Sequence, residues 1–326
     1  MQRKIYLASF IALLAIGMTA CKKNKSETTT PADYNTELTN HSDDHSMVAN
    51  NMDAFDNDVA GQIETSPLGR VENATNIMTP PCGATVTFDS TPSVRRMTIV
   101  FDGPNCTNNI YRKGTVVFSI PSTMHWRDSG AVITETIQPD GLKFTRMNDT
   151  ADYIIVNGSR TVTNASGGWL ENLLPNSLHH RSSITHLVNA TDMMITFRDG
   201  THRNWSAARK RVFTYEGAGG SIGVVLKISG NHTEAGISGI AEWGTNRAGH
   251  AFTTSITSPL TLKQTCNWRL TGGEIKHQGL AATVTVTYGL DVAGNVASCP
   301  AANQPYYYKA VWVAANGNTF TLIHPY

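Results

Sequence analysis

The sequence predicts an all-β protein, an antiparallel meander forming a sandwich or barrel-like sheet, with one short N-terminal amphipathic helix. Three observations carry this. From Pro80-Pro81 onward the chain is a succession of short β-branched runs separated by turn residues. Two-residue corners of the Asn-Gly and Asp-Gly type stand between such runs at Asn157-Gly158, Asp199-Gly200 and Asn316-Gly317, and these dipeptides favour the turn whose twist matches paired strands. Between the runs there is no helix-length apolar period that would supply crossover connections, which argues against a parallel sheet.

In chain order, the first residues have the parts of a secretory signal: Arg3 and Lys4, an apolar run from Ile5 to Ile16, then Gly17, Thr19 and Ala20 before Cys21. The apolar run is too short to span a bilayer core, which needs ~20 residues. Residues 1–20 therefore read as a cleaved signal peptide, with Cys21 as the new first residue. Gly17-Met18-Thr19-Ala20-Cys21 resembles the lipobox of bacterial lipoproteins, with Met18 where Leu is commoner. That resemblance implies a diacylglycerol thioether on Cys21 and an acylated amino group. Two or more chains hold where one binds only marginally, at ~0.8 kcal/mol per buried CH₂.

Residues 21–45 are polar and rich in Thr, Asn, Ser and Asp, and read as a disordered tether. Residues 46–80 read as a helical and linker segment. Val48, Met52, Phe55, Val59 and Ile63 recur at helical steps and form one stripe, with Asp43, Asp44 or Ser46 as cap, docked on the β-domain.

The β-domain occupies 81–326. The corner at Asn157-Gly158 is expected to fold 153–156 onto 159–163 as a hairpin; Asp199-Gly200 joins 193–198 to 201–206, and Asn316-Gly317 joins 311–315 to 318–323. Further strands are expected at 84–88, 97–101, 114–120, 132–137, 209–215, 223–229, 236–243, 251–262, 267–271 and 282–288. Gly217 to Gly223 reads as a flexible hairpin connection. A faint internal echo links Met97–Gly103, Cys106 and Lys113–Val117 to Thr283–Gly289, Cys299 and Lys309–Val313, so two similar halves are one reading and chance texture is the other.

Besides Cys21 the cysteines are Cys82, Cys106, Cys266 and Cys299. An even number in an exported chain predicts disulfides. The pairs Cys82–Cys106 and Cys266–Cys299 are favoured because each brackets a hairpin. No CxxC spacing and no adjacent histidine supports zinc. Removing Arg3 and Lys4 with the signal leaves 24 Lys+Arg against 25 Asp+Glu. A near-neutral exported chain offers no basic surplus for nucleic acid.

The segments Tyr153–Asn164, Gly244–Phe252 and Ser258–Trp268, with Phe101-Asp-Gly-Pro-Asn-Cys106-Thr, resemble a family of uncharacterised cell-envelope lipoproteins of Bacteroidota-type bacteria. The resemblance runs from about Cys82 to the C-terminus and implies an all-β envelope protein with no assigned activity. The chain departs from that pattern in the irregular stretch Gly167 to Arg181. Lys22-Lys23-Asn24-Lys25 lacks the acidic residues associated with surface display in that group, and no Asp follows Cys21. The outer membrane, facing the periplasm, is the expected location.

No catalytic constellation emerges. There is no GxSxG elbow, HExxH helix, Walker loop or dinucleotide fingerprint, and no cofactor or metal is predicted. His41, Asp43, Asp44 and His45 form a conceivable metal-scavenging cluster, read instead as part of a solvated tail. Glu135, Asp140, Asp152, Glu234 and Glu242 are candidates for a hydrolytic carboxylate pair, scattered over several elements. Six tryptophans and Tyr306-Tyr307-Tyr308 offer stacking faces for a glycan. Trp243, Asn246 and Arg247 are the best candidate contact surface, with local turn bonding as the bland alternative. The expectation is a non-catalytic β-rich binding or structural module anchored by lipid at Cys21. A carbohydrate-active hydrolase, or an accessory subunit of an outer-membrane protein complex, are the other readings.

Overall fold

A computed structural model describes residues 31–69, 80–147, 150–217, 223–280, 282–301, 304–313 and 317–326. The signal peptide, Cys21 and the first part of the tether lie outside them.

The first element is the single N-terminal helix, α1 (Pro31–Thr65), which begins before the expected helical segment and takes up residues 31–45 of the expected tether. Pro31 suits a first helical turn, where its missing N–H costs nothing, and no Gly or Pro interrupts the next 29 residues. The helix ends because Pro67 disfavours the helical region at Ser66, whose Oγ donates to the Ile63 carbonyl and accepts from the Leu68 N–H. Asp43, Asp44 and Ser46, expected to cap a later start, are instead mid-helix, where Asp43 and Ser46 bond the strand residues Tyr308 and Tyr288 and Asp44 bonds Arg247 in a turn. The predicted stripe of Val48, Met52, Phe55, Val59 and Ile63 is buried as expected.

Among the described residues seventeen strands follow, all paired antiparallel. The first group is β1 (Ala84–Ser90), β2 (Val94–Pro104), β3 (Ile110–Pro121), β4 (Ala131–Ile137), β5 (Leu142–Arg146), β6 (Tyr153–Asn157) and β7 (Ser159–Asn164). After an irregular stretch with one 3-10 turn at Leu170–Leu173 come β8 (Ile184–Phe197) and β9 (His202–Glu216). The rest are β10 (Gly223–Gly230), β11 (His232–Glu234), β12 (Ile237–Thr245), β13 (Ala251–Lys263), β14 (Arg269–Gln278), β15 (Val284–Leu290), β16 (Tyr307–Val313) and β17 (Thr319–Pro325). Pairing follows the chain: β1 to β2 to β3, then a row made of β4 and β5, a row made of β7 and β6, then β8 and β9. A row made of β10 and β12 comes next, then β13 through β17 in order. Among the described residues β1 and β17 each pair on one side only, so the meander is curled but its edges are not joined.

Asn157-Gly158 is therefore not a hairpin corner. β6 and β7 do not pair with each other; both lie along β8, as consecutive pieces of one row. Gly158, at φ 125°, bends that row where β8 carries a bulge between Ala190 and Met193. Asp199-Gly200 does turn a hairpin, with Phe197 N–H bonded to the Thr201 carbonyl and Gly200 left-handed at φ 80°. That is a three-residue loop ending in a left-handed residue, not the two-residue turn expected. β16 and β17 pair as predicted; part of their turn, including Asn316, lies outside the described residues. Both predicted cysteine pairs are at disulfide distance, with Cα atoms 5.1 Å apart for Cys82–Cys106 and 5.5 Å for Cys266–Cys299.

The sheet wraps the helix. Asp44 to Ala49 and Asn51 to Asp53 are buried on every side of α1, although successive residues of a helix point about 100° apart. Phe55 packs against Phe101, Phe118 and Phe144 of β2, β3 and β5, while His41 touches Phe252 of β13 and His277 of β14. Strand alternation is regular where one face looks inward: in β4, Ala131, Ile133, Glu135 and Ile137 are buried, and Val132, Thr134 and Thr136 are exposed. Two apolar clusters result. One joins the helix from Met47 to Ile63 with β2 to β9; the other joins Leu38 with β8, β9, β10 and β13 to β16.

Candidate functional site

The inside of the shell is ionic as well as apolar, and α1 supplies the acids. Arg209 of β9 donates to Asp53 at 3.0 Å and also reaches Glu242 of β12. Arg211 of β9 donates to Asp56 at 2.9 Å and to Asn57 at 2.8 Å. Arg160 of β7 bonds Asp56 and, at 3.0 Å, Glu135 of β4. Arg112 of β3 donates to Asp58 at 2.7 Å. Buried charge pairs gain little net stability, but breaking one is costly; here they fix the rotation and depth of the helix. Burial pushes the carboxyls of Asp53 and Glu135 up, opposed by their arginines. Burial acts the same way on Glu242, but the charges of His45, Arg209 and Arg203 outweigh it and hold its carboxyl well below the usual range.

At one mouth of the shell a cleft of about 410 Å³ opens between the first turns of α1, the β8–β9 hairpin and the turn after β12. That volume falls within the range of small-molecule sites. Arg247 is its centre. The guanidinium binds Asp44 through two bonds of 2.7 Å, donates to Asp199 at 3.2 Å and lies 4.3 Å over the Phe197 ring. Asn246 donates to Glu37 at 2.6 Å while its carbonyl oxygen accepts from the Ala248 and His250 N–H groups. His250 Nδ1 is 2.7 Å from the same Glu37 oxygen. Burial pushes Asp44 up to about 6 against the pull of Arg247. The Thr201 hydroxyl and N–H hold Asp199 below the ordinary range.

Behind the cleft lies a histidine layer. His41 reaches from the cleft wall inward, its ring 4.6 Å from those of Phe252 and His277. His45 Nδ1 is 3.0 Å from Glu242, and His277 Nδ1 is 2.8 Å from the Thr254 hydroxyl. Burial, then the charge of Arg203, hold His41 well below its usual pKa; burial, then His41, do the same to His277. Among the described residues no three His, Cys, Asp or Glu side chains are grouped to hold a metal ion. The solvated-tail reading of His41 to His45 fails, since His41, Asp44 and His45 are buried in the shell.

The structure separates the predicted contact residues. Asn246 and Arg247 line the cleft, whereas Trp243 alternates outward from Glu242 and stacks on His232 at 4.5 Å. No tryptophan offers an open platform: Trp126, Trp205 and Trp312 are buried and Trp169, Trp243 and Trp268 are half-buried. Tyr306 and Tyr308 point inward, with Tyr307 between them half-buried. Of the scattered carboxylates, Glu135 and Glu242 are buried in the ionic core, Asp152 pairs with Arg146, and Asp140 and Glu234 are exposed. Sequence reasoning missed Glu37, Asp199 and the buried arginines. The signal for the arginines was present: Arg203, Arg209 and Arg211 fall at even spacing in an otherwise inward-facing strand register.

No family model, no curated protein and no solved structure matches this chain.

Proposed function

We propose that this chain is a non-catalytic lipoprotein of the Bacteroidota-type outer membrane, anchored through lipid on Cys21 and facing the periplasm. Its β-shell serves as a binding or structural module, and the Arg247 cleft is its contact surface. The observation that carries this reading is the locked helix. Pro31 follows Cys21 by ten residues, a reach of at most ~35 Å, and α1 is held in the shell by buried ion pairs from Asp44 to Asp58. A lipid on Cys21 would thus hold the whole shell at a short distance, with the cleft at the anchored end. The outward face of the strands carries Arg96, Lys113, Lys210 and Lys227. Such residues cost about 2–4 kcal/mol each at a bilayer midplane, which favours a body outside the membrane.

The test is fractionation. Cys21→Ser should move the protein from the membrane to the soluble fraction, and unchanged attachment would refute the anchor.

A second reading has one specific observation in its favour. Asp44 and Asp199 meet at Arg247 with pKa values pushed in opposite directions, the pattern of a proton donor beside an ionised carboxylate. Release of reducing ends from envelope oligosaccharides, abolished by Asp199→Asn, would replace the binding reading with hydrolysis. The accessory-subunit reading loses one of its two signs, because the Val48–Ile63 stripe is buried; the edges of β1 and β17, unpaired among the described residues, remain.

A further inference from the structure

We propose that a small monovalent anion, a halide or the carboxylate end of a small organic acid, binds at the inner end of the cleft between the Arg203 guanidinium and the His41 ring. The argument begins from a contrast among the buried arginines. Arg95, Arg112, Arg160, Arg209 and Arg211 each donate to a carbonyl, a carboxylate or both. Arg203 is as buried as any of them, and among the described residues none of its three nitrogens has a hydrogen-bond partner. An arginine keeps its charge inside a protein, and a buried charge without an acceptor carries a desolvation cost of several kcal/mol.

The neighbouring acids remove that cost only in part. Glu242 Oε2 forms an ion pair with Arg203 Nη2 at 3.6 Å, beyond hydrogen-bond reach, and the other carboxylate oxygen is bonded to Arg209. Asp44 is taken by Arg247 through both oxygens. The Arg203 guanidinium instead lies 4.7 Å over the Phe252 ring, the same ring that His41 meets at 4.6 Å.

The position lies behind the cleft wall. Thr201 lines the cleft, and Arg203 follows it two residues on, itself fully buried. His41 also lines the cleft, is 2% exposed, and among the described residues has no hydrogen-bond partner on either ring nitrogen. A neutral imidazole carries one N–H. An anion seated there would take that N–H together with the orphaned guanidinium donors, charge-assisted bonds of the stronger kind. The inference concerns the floor of the cleft and does not depend on the lipid anchor.

The experiment is thermal unfolding of the full mature chain in detergent at constant ionic strength, with sodium methanesulfonate replaced stepwise by chloride or by formate. Binding to the native state alone should raise Tm saturably, by about 5 °C at a hundredfold excess over Kd for a chain of this size. A response to chloride only identifies a halide; a response to formate identifies a carboxylate. Arg203→Met should abolish the response, and His41→Phe, which keeps a ring in place, should weaken it at least tenfold in apparent Kd. A bromide soak should give an anomalous peak between the two side chains. Equal Tm in all three salts would overturn the proposal, as would a response that survives Arg203→Met and so reports an adventitious ion only. Stabilisation by a divalent metal and not by anions would overturn it too.

Discussion

Arg209 on β9 donates to the carboxylate of Asp53 on α1 at 3.0 Å, across 156 residues of sequence and with both side chains 6% exposed. This bond and its neighbours make the helix an internal part of the sheet protein. Removing the carboxylate leaves part of a buried guanidinium charge uncompensated. Asp53→Ala is predicted to cost about 3 kcal/mol in denaturant unfolding, and a loss below about 1 kcal/mol would show that the pair is not desolvated.

The apolar half of the same interface predicts a comparable loss by a different route. Phe55 lies among Phe101, Phe118 and Phe144 and is 1% exposed. Phe55→Ala should cost about 3–5 kcal/mol through lost transfer energy and the cavity left behind. A change within the range of surface substitutions would mean that the helix is not enclosed.

Stability should fall on mild acidification. His186 is fully buried against Trp126 and Phe213, and burial followed by the charge of Arg211 brings its pKa down to about 3. A histidine depressed in the folded state stabilises fully above its unfolded value, ~6.5, and loses that contribution as pH falls toward 3. Each such group contributes a slope approaching about 1.4 kcal/mol per pH unit within that window. His41 and His277 act in the same direction. Asp44, raised to about 6, acts oppositely between its unfolded value of 3.8 and 6, and Asp53 and Glu135, also raised by burial, act in the same direction as Asp44. The histidines begin to lose their contribution near ~6.5, above the range of Asp44, so Tm should start to drop between pH 7 and pH 6. His186→Phe should flatten that drop; an unchanged pH profile would show that His186 is not held neutral.

Gly158 distinguishes a bent strand from a hairpin corner. A side chain there would meet the Met193 Cγ at 3.0 Å, in a backbone conformation L-residues rarely adopt. At Gly200, also left-handed, there is open space. Gly158→Ala should therefore destabilise more than Gly200→Ala, which carries the backbone cost alone, about 1 kcal/mol. The reverse order, read from urea midpoints, would favour the hairpin.

Much of the β-body was legible, because inward and outward residues alternate and because both disulfides follow from the cysteine spacing. The helix from residue 31 to 45 was not. Its buried positions are Leu38, His41, Ser42, Asp44 and His45, all but Leu38 polar, so they read as a solvated tail when an apolar period is the criterion. The partners of Glu37, Asp43, Asp44 and His45, namely Asn246, Tyr308, Arg247 and Glu242, lie some 200 or more residues away, and a single sequence carries no sign of such pairing. Asn157-Gly158 misled for a related reason: the dipeptide permits a corner, but pairing of both flanks with β8 decides the outcome. Asn246 and Arg247 were found by their place in a turn; Trp243 was grouped with them because adjacency in sequence ignores the two-residue period of a strand.

The account rests on a helix enclosed by the sheet, and hydrogen exchange of the native protein tests this most directly. Amides from Asp44 to Asp53 should exchange as slowly as those of β8 and β9, through global unfolding only. Exchange of that segment at the rate of a fraying surface helix, while β8 and β9 stay protected, would contradict it.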